Sequence, residues 1–218
     1  GNPTVAPYAS NGEARLRISA KAPTQDMALA LIEPVEAGIK ALVGADCYGI
    51  DDDTLAVVVG RLLLQRGQTL AVAESCTGGG LGHMLTTVAG SSAYFAGGVI
   101  AYDNRVKANL LQVDELALAQ HGAVSGIVAE QMAAGAKAAL QTDWALSITG
   151  VAGPGGGTAE KPVGLVYIGV ATPADTVFNV EHHFASFRGR DWVRHLSACS
   201  ALDHLRRKLL DEGGITKA

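Results

Sequence analysis

The stretch "AVAESCTGGGLG" (71–82) joins an apolar run to a polar turn rich in glycine. This change predicts a buried strand over 70–74 and a helix from about Thr77. Two interpretations of the turn stay open. Ser75 and Thr77 are the caps of the helix, or Ser75 is a nucleophile placed at the helix N-terminus, where N–H groups and the helix dipole favour negative charge.

Strands and helices alternate on both sides of this stretch. Further strands are expected at 97–102, 144–150, 164–171 and 176–185. Further helices are expected from a cap at Asp53 to Gly67, from Asn104, over 125–140 with Ser125 as cap, and over 191–210. The alternation predicts a three-layer α/β/α sandwich. Because only a few residues join the last two strands, part of this sheet of about five strands is antiparallel, and the sheet is mixed.

The first fifty residues have a different character. The stretch "EARLRISAKA" (13–22) alternates apolar and polar residues and predicts a half-buried strand. A helix is expected to follow from the cap Thr24 to Gly44, with Pro34 kinking or breaking it. A short strand is expected near 46–50. So small a segment cannot bury much surface alone, which indicates a small α+β module.

The acidic run "DDD" (51–53) marks the seam between two domains, which we place at 1–52 and 53–218. The opening "GNPTVAPYAS" lacks the character of a domain start. The chain is therefore expected to be a fragment of a longer protein.

Composition narrows the class of protein. The 218 residues are 48% hydrophobic and carry a formal net charge of −4, which disfavours both a disordered chain and general nucleic-acid binding. No apolar run is long enough to span a membrane, and no signal peptide opens the sequence, so a cytoplasmic location without membrane attachment is expected. Three widely spaced cysteines and six histidines without an HExxH pattern predict neither a disulfide framework nor a metal site. The pair His182–His183 is expected to be one inward and one outward residue of a strand.

A second polar stretch, "AYDNRVKANLL" (101–111), follows the next expected strand and so lies on the same rim as Ser75. Lys107 can serve as a base only if it is neutral, and burial beside another cation such as Arg105 would lower its pKa. Tyr102 could orient the amine or relay a proton. The competing interpretation, which the spacing alone favours, is that Arg105 and Lys107 are solvated residues of the first helical turn.

A third stretch, "SITGVAGPGGGTAEKPVG" (147–164), ends another strand on the same rim in a long glycine-rich loop. Successive glycine N–H groups can form an anion nest for a phosphate. The loop lacks the GK[ST] of a P-loop and the following helix of a dinucleotide fingerprint, so a flexible hairpin connection stays an alternative. Polar stretches at three successive strand ends are the stronger observation.

These three stretches, with "GAVS" (122–125) and "FRGRDWVR" (187–194), resemble the CinA C-terminal domain family, the nicotinamide-nucleotide amidases. The resemblance covers about 54–212 and implies a three-layer sandwich with a mixed five-stranded sheet. The stretch "FRGRDWVR" is one residue shorter than the usual form of the family motif. The preceding segment resembles the KH-like linker domain of full-length CinA. The chain would then lack the N-terminal molybdopterin-binding-like domain and the ADP-ribose pyrophosphatase activity that resides there.

The resemblance implies an amidohydrolase that converts nicotinamide mononucleotide to nicotinate mononucleotide and ammonia through an acyl-enzyme. By position, Ser75 matches the nucleophile, Lys107 the base and Tyr102 a neighbouring catalytic residue. No metal or cofactor is needed, and a homodimer or a higher homo-oligomer is implied. Backbone N–H groups near Thr77–Gly79 would stabilise the oxyanion. The residues expected to bind substrate are Thr77, Gly78, Gly79, Arg105, Thr149, Gly150, Gly153, Gly155 and Gly156.

Three other functions compete with the amidase. A catalytically silent CinA-like scaffold would bind DNA-repair or competence partners, but Ser75 and Lys107 are both present. Nucleic-acid binding by the KH-like segment is disfavoured because residues 1–53 contain no GxxG loop. A thiol enzyme would use Cys76, which is more simply explained as a small buried side chain.

Overall fold

A computed structural model describes residues 1–211. It divides into two compact units, of which the first ends at Tyr48 and the second begins at Gly49. The predicted second domain extends to residue 218, so its stretch 212–218 lies outside the described residues. Within 1–211, no helix combines the length and the apolar character needed to cross a bilayer.

The first unit is a β-hairpin followed by a helix. Its elements are β1 Thr4–Ser10, β2 Glu13–Ser19, α1 Gln25–Val43 and a 3-10 helix Gly44–Asp46. The strands are antiparallel, and Asn11 and Gly12 between them both have positive φ, as a tight two-residue hairpin turn requires. Strand β2 was predicted and β1 was not. Pro7 lies within β1, and a strand of a two-stranded sheet tolerates proline because one of its edges is unpaired.

The expected helix is present over its whole length without a break at Pro34, whereas the prediction of a strand after it is wrong. Helix α1 begins after Thr24, whose hydroxyl accepts from Met27 N at 3.3 Å, and it continues through Pro34 up to Gly44. Pro34 removes one backbone hydrogen bond without ending the helix. The strand expected at 46–50 is absent from the described chain, because a 3-10 turn and irregular backbone occupy that stretch. No residue of β1, β2 or α1 is buried.

The second unit has the predicted alternation of strands and helices. Its strands are β3 Leu70–Glu74, β4 Phe95–Ile100, β5 Trp144–Gly150, β6 Leu165–Ala171 and β7 Val177–His183. Its helices are α2 Leu55–Arg66, α3 Gly80–Thr86, α4 Asn104–Leu111, α5 Glu115–His121, α6 Gly126–Leu140 and α7 Arg190–Asp211, with 3-10 helices Ser91–Ala93 and Ser186–Arg188.

The five strands form one mixed sheet in the order β4-β3-β5-β6-β7. Strands β4, β3 and β5 are parallel, whereas β6 and β7 are antiparallel to their neighbours. Helices α2, α3 and α7 pack together on one face, and α4, α5 and α6 pack on the other. The predicted three-layer sandwich with a mixed five-stranded sheet is therefore confirmed.

Small side chains bring α6 close to the sheet. Ala71, Ala73 and Ala145 of the central strands pack with the alanines and the buried Met132 of α6 in one apolar cluster. At Gly169 a side chain would overlap Ala129 of the helix. This close packing fixes the depth at which the α4–α6 layer lies against the strand ends.

Some element boundaries differ from the predictions. Thr54, not Asp53, caps α2 by accepting from Val57 N at 3.3 Å, because the Asp53 carboxylate pairs with Arg61 at 2.5 Å. Ser125 lies at the N-cap position of α6, but its hydroxyl donates to Gly122 O instead of accepting from the helix. Helix α3 begins later than predicted, because residues 75–79 form a turn of their own.

Alanine substitutions at two separate glycines, one as test and one as control, probe the packing of α6 on α4. A side chain at Gly135 in α6 would overlap the backbone of Leu111 at the end of α4. Gly135→Ala is expected to lower the free energy of unfolding of the second unit by about 1–3 kcal/mol, measured by urea titration. Gly38→Ala in α1, where nothing lies within 4 Å, is the control and should raise helix stability by about 0.5–1 kcal/mol. Equal effects at both positions would contradict the packing described here.

Candidate active site

Ser75 lies at the carboxyl end of β3. Its N–H donates to Ile148 O at 2.9 Å, so the β3–β5 ladder continues for one residue beyond the strand. Because successive side chains of a strand face opposite sides, Ser75 faces the α4–α6 layer and Glu74 faces the α3 and α7 layer. Ser75 is partly exposed, and within residues 1–211 its hydroxyl makes no hydrogen bond. The hydroxyl is therefore available to a ligand.

Lys107 is fully buried in α4 on the same side of the sheet. Its Nζ donates to Ala101 O at 2.7 Å and to Tyr102 O at 3.1 Å, immediately after β4. Ala101 N in turn donates to Glu74 O at 2.7 Å, so the lysine amine lies at the strand end next to that of Ser75. Burial lowers the pKa of Lys107 below 10.5, against the opposing effects of Asp103 and Cys76. Lys107 is thus not a solvated surface residue.

Arg105 is not a cause of the lowered pKa of Lys107, and its expected contact with the substrate stays a prediction. Its side chain is 86% exposed and pairs with Asp103 at 3.1 Å, the residue that also caps α4. The lowered pKa of Lys107 comes from burial, not from a neighbouring guanidinium, so that expectation for Arg105 is wrong. Tyr102 is 63% exposed, and it is its backbone oxygen that contacts the lysine amine.

Helix α7 contributes two arginines that join the three polar stretches. Arg190 donates to Gly153 O at 2.8 Å and to the Tyr102 hydroxyl at 3.4 Å. Arg194, one turn later, donates to Thr77 O at 2.8 Å. The start of α7 therefore connects the segments that follow β3, β4 and β5. Neither arginine was among the predicted site residues, although "FRGRDWVR" was singled out as a motif.

The glycine-rich loop after β5 is held at both ends. Gly150 ends the strand, and the buried Thr149 donates its hydroxyl to Ala123 O at 2.7 Å, so this donor is already used. Farther along, Lys161 Nζ donates to His121 O at 2.5 Å. Between these ties lie Gly155 and Gly156, both exposed and with open space around them.

Glu74 is a site residue that the sequence analysis missed. Its carboxylate is 2% exposed and accepts from the N–H groups of Gly79 at 3.0 Å, Leu81 at 3.0 Å and Gly82 at 2.8 Å. These are amides of the α3 N-terminus, so the open helix end that was expected to face the substrate is occupied. The missed signal is a lone carboxylate at the end of an otherwise apolar strand.

The remaining turn residues settle the question of capping. The N-cap position of α3 is Gly79, and no side chain caps the helix from it. Thr77 Oγ1 is buried and has no hydrogen-bond partner in the described chain. Gly78 N–H already donates to Ser75 O at 3.1 Å. Within residues 1–211, the amides of Cys76 and Thr77 are the turn N–H groups left without any hydrogen-bond acceptor, since that of Gly79 donates to Glu74.

Other candidate groups lie outside this arrangement or are chemically unsuited to it. Burial raises the pKa of Cys76 to about 11, so this thiol is protonated at neutral pH. His182 is half-buried and its Nε2 lies 2.8 Å from that of His204, whereas His183 is exposed, as expected for neighbours in a strand. Within 1–211, no three His, Cys, Asp or Glu side chains are grouped to hold a metal ion.

Comparison with family models identifies the class of protein. The model of the CinA C-terminal domain matches residues 52–209, and that of the damage-inducible protein CinA KH domain matches residues 1–49. The chain belongs to the CinA C-terminal domain family, with a CinA KH domain in front of that domain.

Individual relatives agree with this assignment. A "CinA-like protein" of Cyanothece sp. is 64% identical over 215 residues, which cover 97% of this chain and 50% of the relative. One of Synechococcus elongatus is 62% identical over 210 residues, covering 96% and 50%. The chain thus spans about half the length of the curated relatives it matches.

Solved structures also match the fold. The crystal structure of a competence/damage inducible protein from Agrobacterium tumefaciens is 36% identical, with a TM-score of 0.67 over 74% of this chain and 99% of that one. A competence damage-inducible protein A from Klebsiella pneumoniae is 34% identical, with a TM-score of 0.68 over 71% and 94%.

Burial of Lys107 predicts a specific pH dependence of stability. Between the lowered pKa of the folded protein and 10.5, the unfolded chain binds the extra proton, so the stability of the parent rises with pH. Lys107→Met lacks this gain. The free energy of unfolding of the parent should therefore rise relative to that of Lys107→Met by up to about 1.4 kcal/mol per pH unit. It is measured by urea unfolding between about pH 7 and 10.

Lys40→Met is the control for this measurement. The hydrogen bond with Glu36 raises the pKa of Lys40, so its proton is bound in both states over this pH range. The difference in free energy of unfolding between the parent and Lys40→Met should therefore not change with pH. A flat difference for Lys107→Met as well would contradict a lowered pKa of that buried amine.

Proposed function

We propose that the chain is an amidohydrolase that deamidates nicotinamide mononucleotide to nicotinate mononucleotide and ammonia through an acyl-enzyme on Ser75. The observation that carries the proposal is a buried lysine of lowered pKa at the end of β4, next to the end of β3, which carries a serine hydroxyl without a hydrogen bond in the described residues. Membership of the CinA C-terminal domain family supports the same reaction through the resemblance of the motifs.

The surroundings of Lys107 suit a general base. A neutral amine has two N–H donors and one lone pair, and the oxygens of Ala101 and Tyr102 can accept both donors. The lone pair then stays available for the proton of Ser75. Because the pKa is lowered by burial, more of the amine is neutral near pH 7 than in a solvated lysine.

The reaction then runs in two halves. Lys107 takes the Ser75 proton while Oγ attacks the carboxamide carbon, and the N–H groups of Cys76 and Thr77 are the nearest unused donors for the oxyanion. Lys107 returns the proton to the departing ammonia. A water molecule, activated by the same amine, hydrolyses the ester and frees nicotinate mononucleotide.

Recognition of the nucleotide is assigned to the groups around the start of α7. Arg190 and Arg194 bring two guanidinium groups to the rim, of which that of Arg194 also pairs with the exposed Asp191 at 3.1 Å, and each keeps further N–H donors. The exposed Gly155 and Gly156 offer backbone N–H groups to a phosphate. Tyr102, next to Arg190, provides an exposed aromatic face for the pyridine ring. A homodimer in the cytoplasm stays part of this proposal.

The first test is ammonia release from nicotinamide mononucleotide. We expect the parent to release ammonia, and both Ser75→Ala and Lys107→Met to be at least about 1000-fold slower, because nucleophile and base act as a unit. Lys107→Arg should be equally inactive, since a guanidinium does not deprotonate. Cys76→Ala keeps the backbone N–H and should stay within about threefold of the parent.

Each other outcome has a defined meaning. A folded parent that releases no ammonia contradicts the amidase and favours the scaffold without activity. Activity in Ser75→Ala contradicts the nucleophile, and loss of activity in Cys76→Ala would indicate a thiol enzyme.

A second test concerns the phosphate. Arg190→Gln is expected to reduce kcat/KM for nicotinamide mononucleotide at least about tenfold more than kcat/KM for nicotinamide riboside, which lacks the phosphate. Arg188→Gln is the matched control, because Arg188 lies over the Trp192 ring, 3.8 Å from its centre. Equal losses on both substrates would show that Arg190 does not recognise the phosphate.

A further inference from the structure

We propose that Glu74 is a positioning residue for the Ser75 nucleophile. Its buried carboxylate holds the 75–79 turn in one conformation by closing the N-terminus of α3 from the strand side. The effect on catalysis rests on the proposed function, whereas the hold on the turn rests on the geometry alone.

The carboxylate is saturated with backbone donors. Oε2 accepts from Gly79 and Leu81 and Oε1 from Gly82, all at 2.8–3.0 Å. An ionised carboxylate can only accept, so three converging N–H groups match it and do not match an amide or a hydroxyl. The first N–H groups of a helix have no partner inside the helix, and Glu74 supplies one without solvent.

This cap differs from the others in the molecule. Thr24 and Thr54 cap α1 and α2 from three residues away in the sequence. Glu74 reaches amides five, seven and eight residues further along the chain, and Ser75 lies inside the loop that these bonds close. A change at Glu74 therefore acts on the backbone that carries the nucleophile as well as on the helix end.

The glycines of the turn make this closure possible. Gly78 and Gly79 have φ of 57° and 96°, which place the chain in a conformation that brings the α3 amides back toward β3. Two further bonds fix the same turn, from Gly78 N to Ser75 O and from Arg194 to Thr77 O. Together they set the direction of the Cys76 and Thr77 N–H groups relative to Ser75.

Glu74 does not take part in the chemistry itself. Its side chain is buried on the sheet face opposite Ser75, and all its hydrogen bonds go to backbone amides of the turn and of α3. Because it takes the amides of the α3 N-terminus, developing negative charge must be met by other N–H groups. Because Glu74 occupies the α3 amides, the N–H groups left for the oxyanion are those of Cys76 and Thr77, on the Ser75 side of the turn.

The test compares Glu74→Gln with the parent and with Thr54→Ala, which removes a helix cap outside the 75–79 turn. Gln has the same shape, but it turns one acceptor into a donor that opposes an N–H group. We expect kcat for ammonia release to fall about 10–100-fold, with KM within about threefold, because a small displacement of a nucleophile is costly while nucleotide contacts remain. Thr54→Ala should keep the parental kcat.

A second readout does not depend on activity. Cys76 is buried in the same turn, so its alkylation by iodoacetamide, located by peptide mass spectrometry, reports opening of the turn. The alkylation rate of Cys76 should rise at least about tenfold in Glu74→Gln and stay at the parental value in Thr54→Ala. If the parent releases no ammonia, the proposed function fails, and the alkylation rate still decides whether Glu74 holds the turn.

Glu74→Asp serves if Glu74→Gln does not fold. It keeps the charge and shortens the reach, so kcat should fall and Cys76 alkylation should accelerate, both less than expected for Glu74→Gln. A folded Glu74 variant with parental kcat overturns the positioning role, and one with parental Cys76 alkylation overturns the hold on the turn.

Discussion

The parallel pairing of β3 with β4 and β5 is the constraint on which the candidate site depends. All five residues of β3 are buried, so the strand is covered on both faces and its register cannot slip without exposing apolar side chains. The register carries Ser75 to the same edge as Ala101, where Lys107 makes its hydrogen bonds. Ser75 and Lys107, the proposed nucleophile and base, come from different strand–helix units, and the sheet brings these units together.

Two buried residues with ionisable side chains, Glu74 and Lys107, flank this strand end on opposite faces. Glu74 is satisfied by three backbone N–H groups and Lys107 by two backbone oxygens, which is the condition under which polar groups are tolerated inside a protein. The two differ in what burial does. For Glu74 it closes a turn, and for Lys107 it lowers the pKa and favours the form that can accept a proton. The layered fold keeps these tasks apart.

Local pattern was sufficient for most of the second unit and less so for the first. Runs such as 70–74 and 144–150 are apolar, short and bounded by glycine or polar residues. The alternation of strands and helices can therefore be recognised from the sequence. In the first unit, β1 was not predicted, and Pro34 was expected to kink or break α1, although the helix continues through it. The cost of a proline depends on whether its N–H was needed. Exposed elements give little periodicity to correct such errors.

The sequence by itself determined the alternation of strands and helices in most of the second unit, the mixed sheet and the family, since these depend on local pattern and on motifs formed by residues close together in the chain. It could not decide that Lys107 is buried while Arg105 is solvated, because both belong to the same short helix and packing alone chooses the inward face. It also could not place Glu74 under the α3 amides or bring Arg190 to Gly153. These contacts join distant segments, and the packing of the helical layers on the sheet creates them.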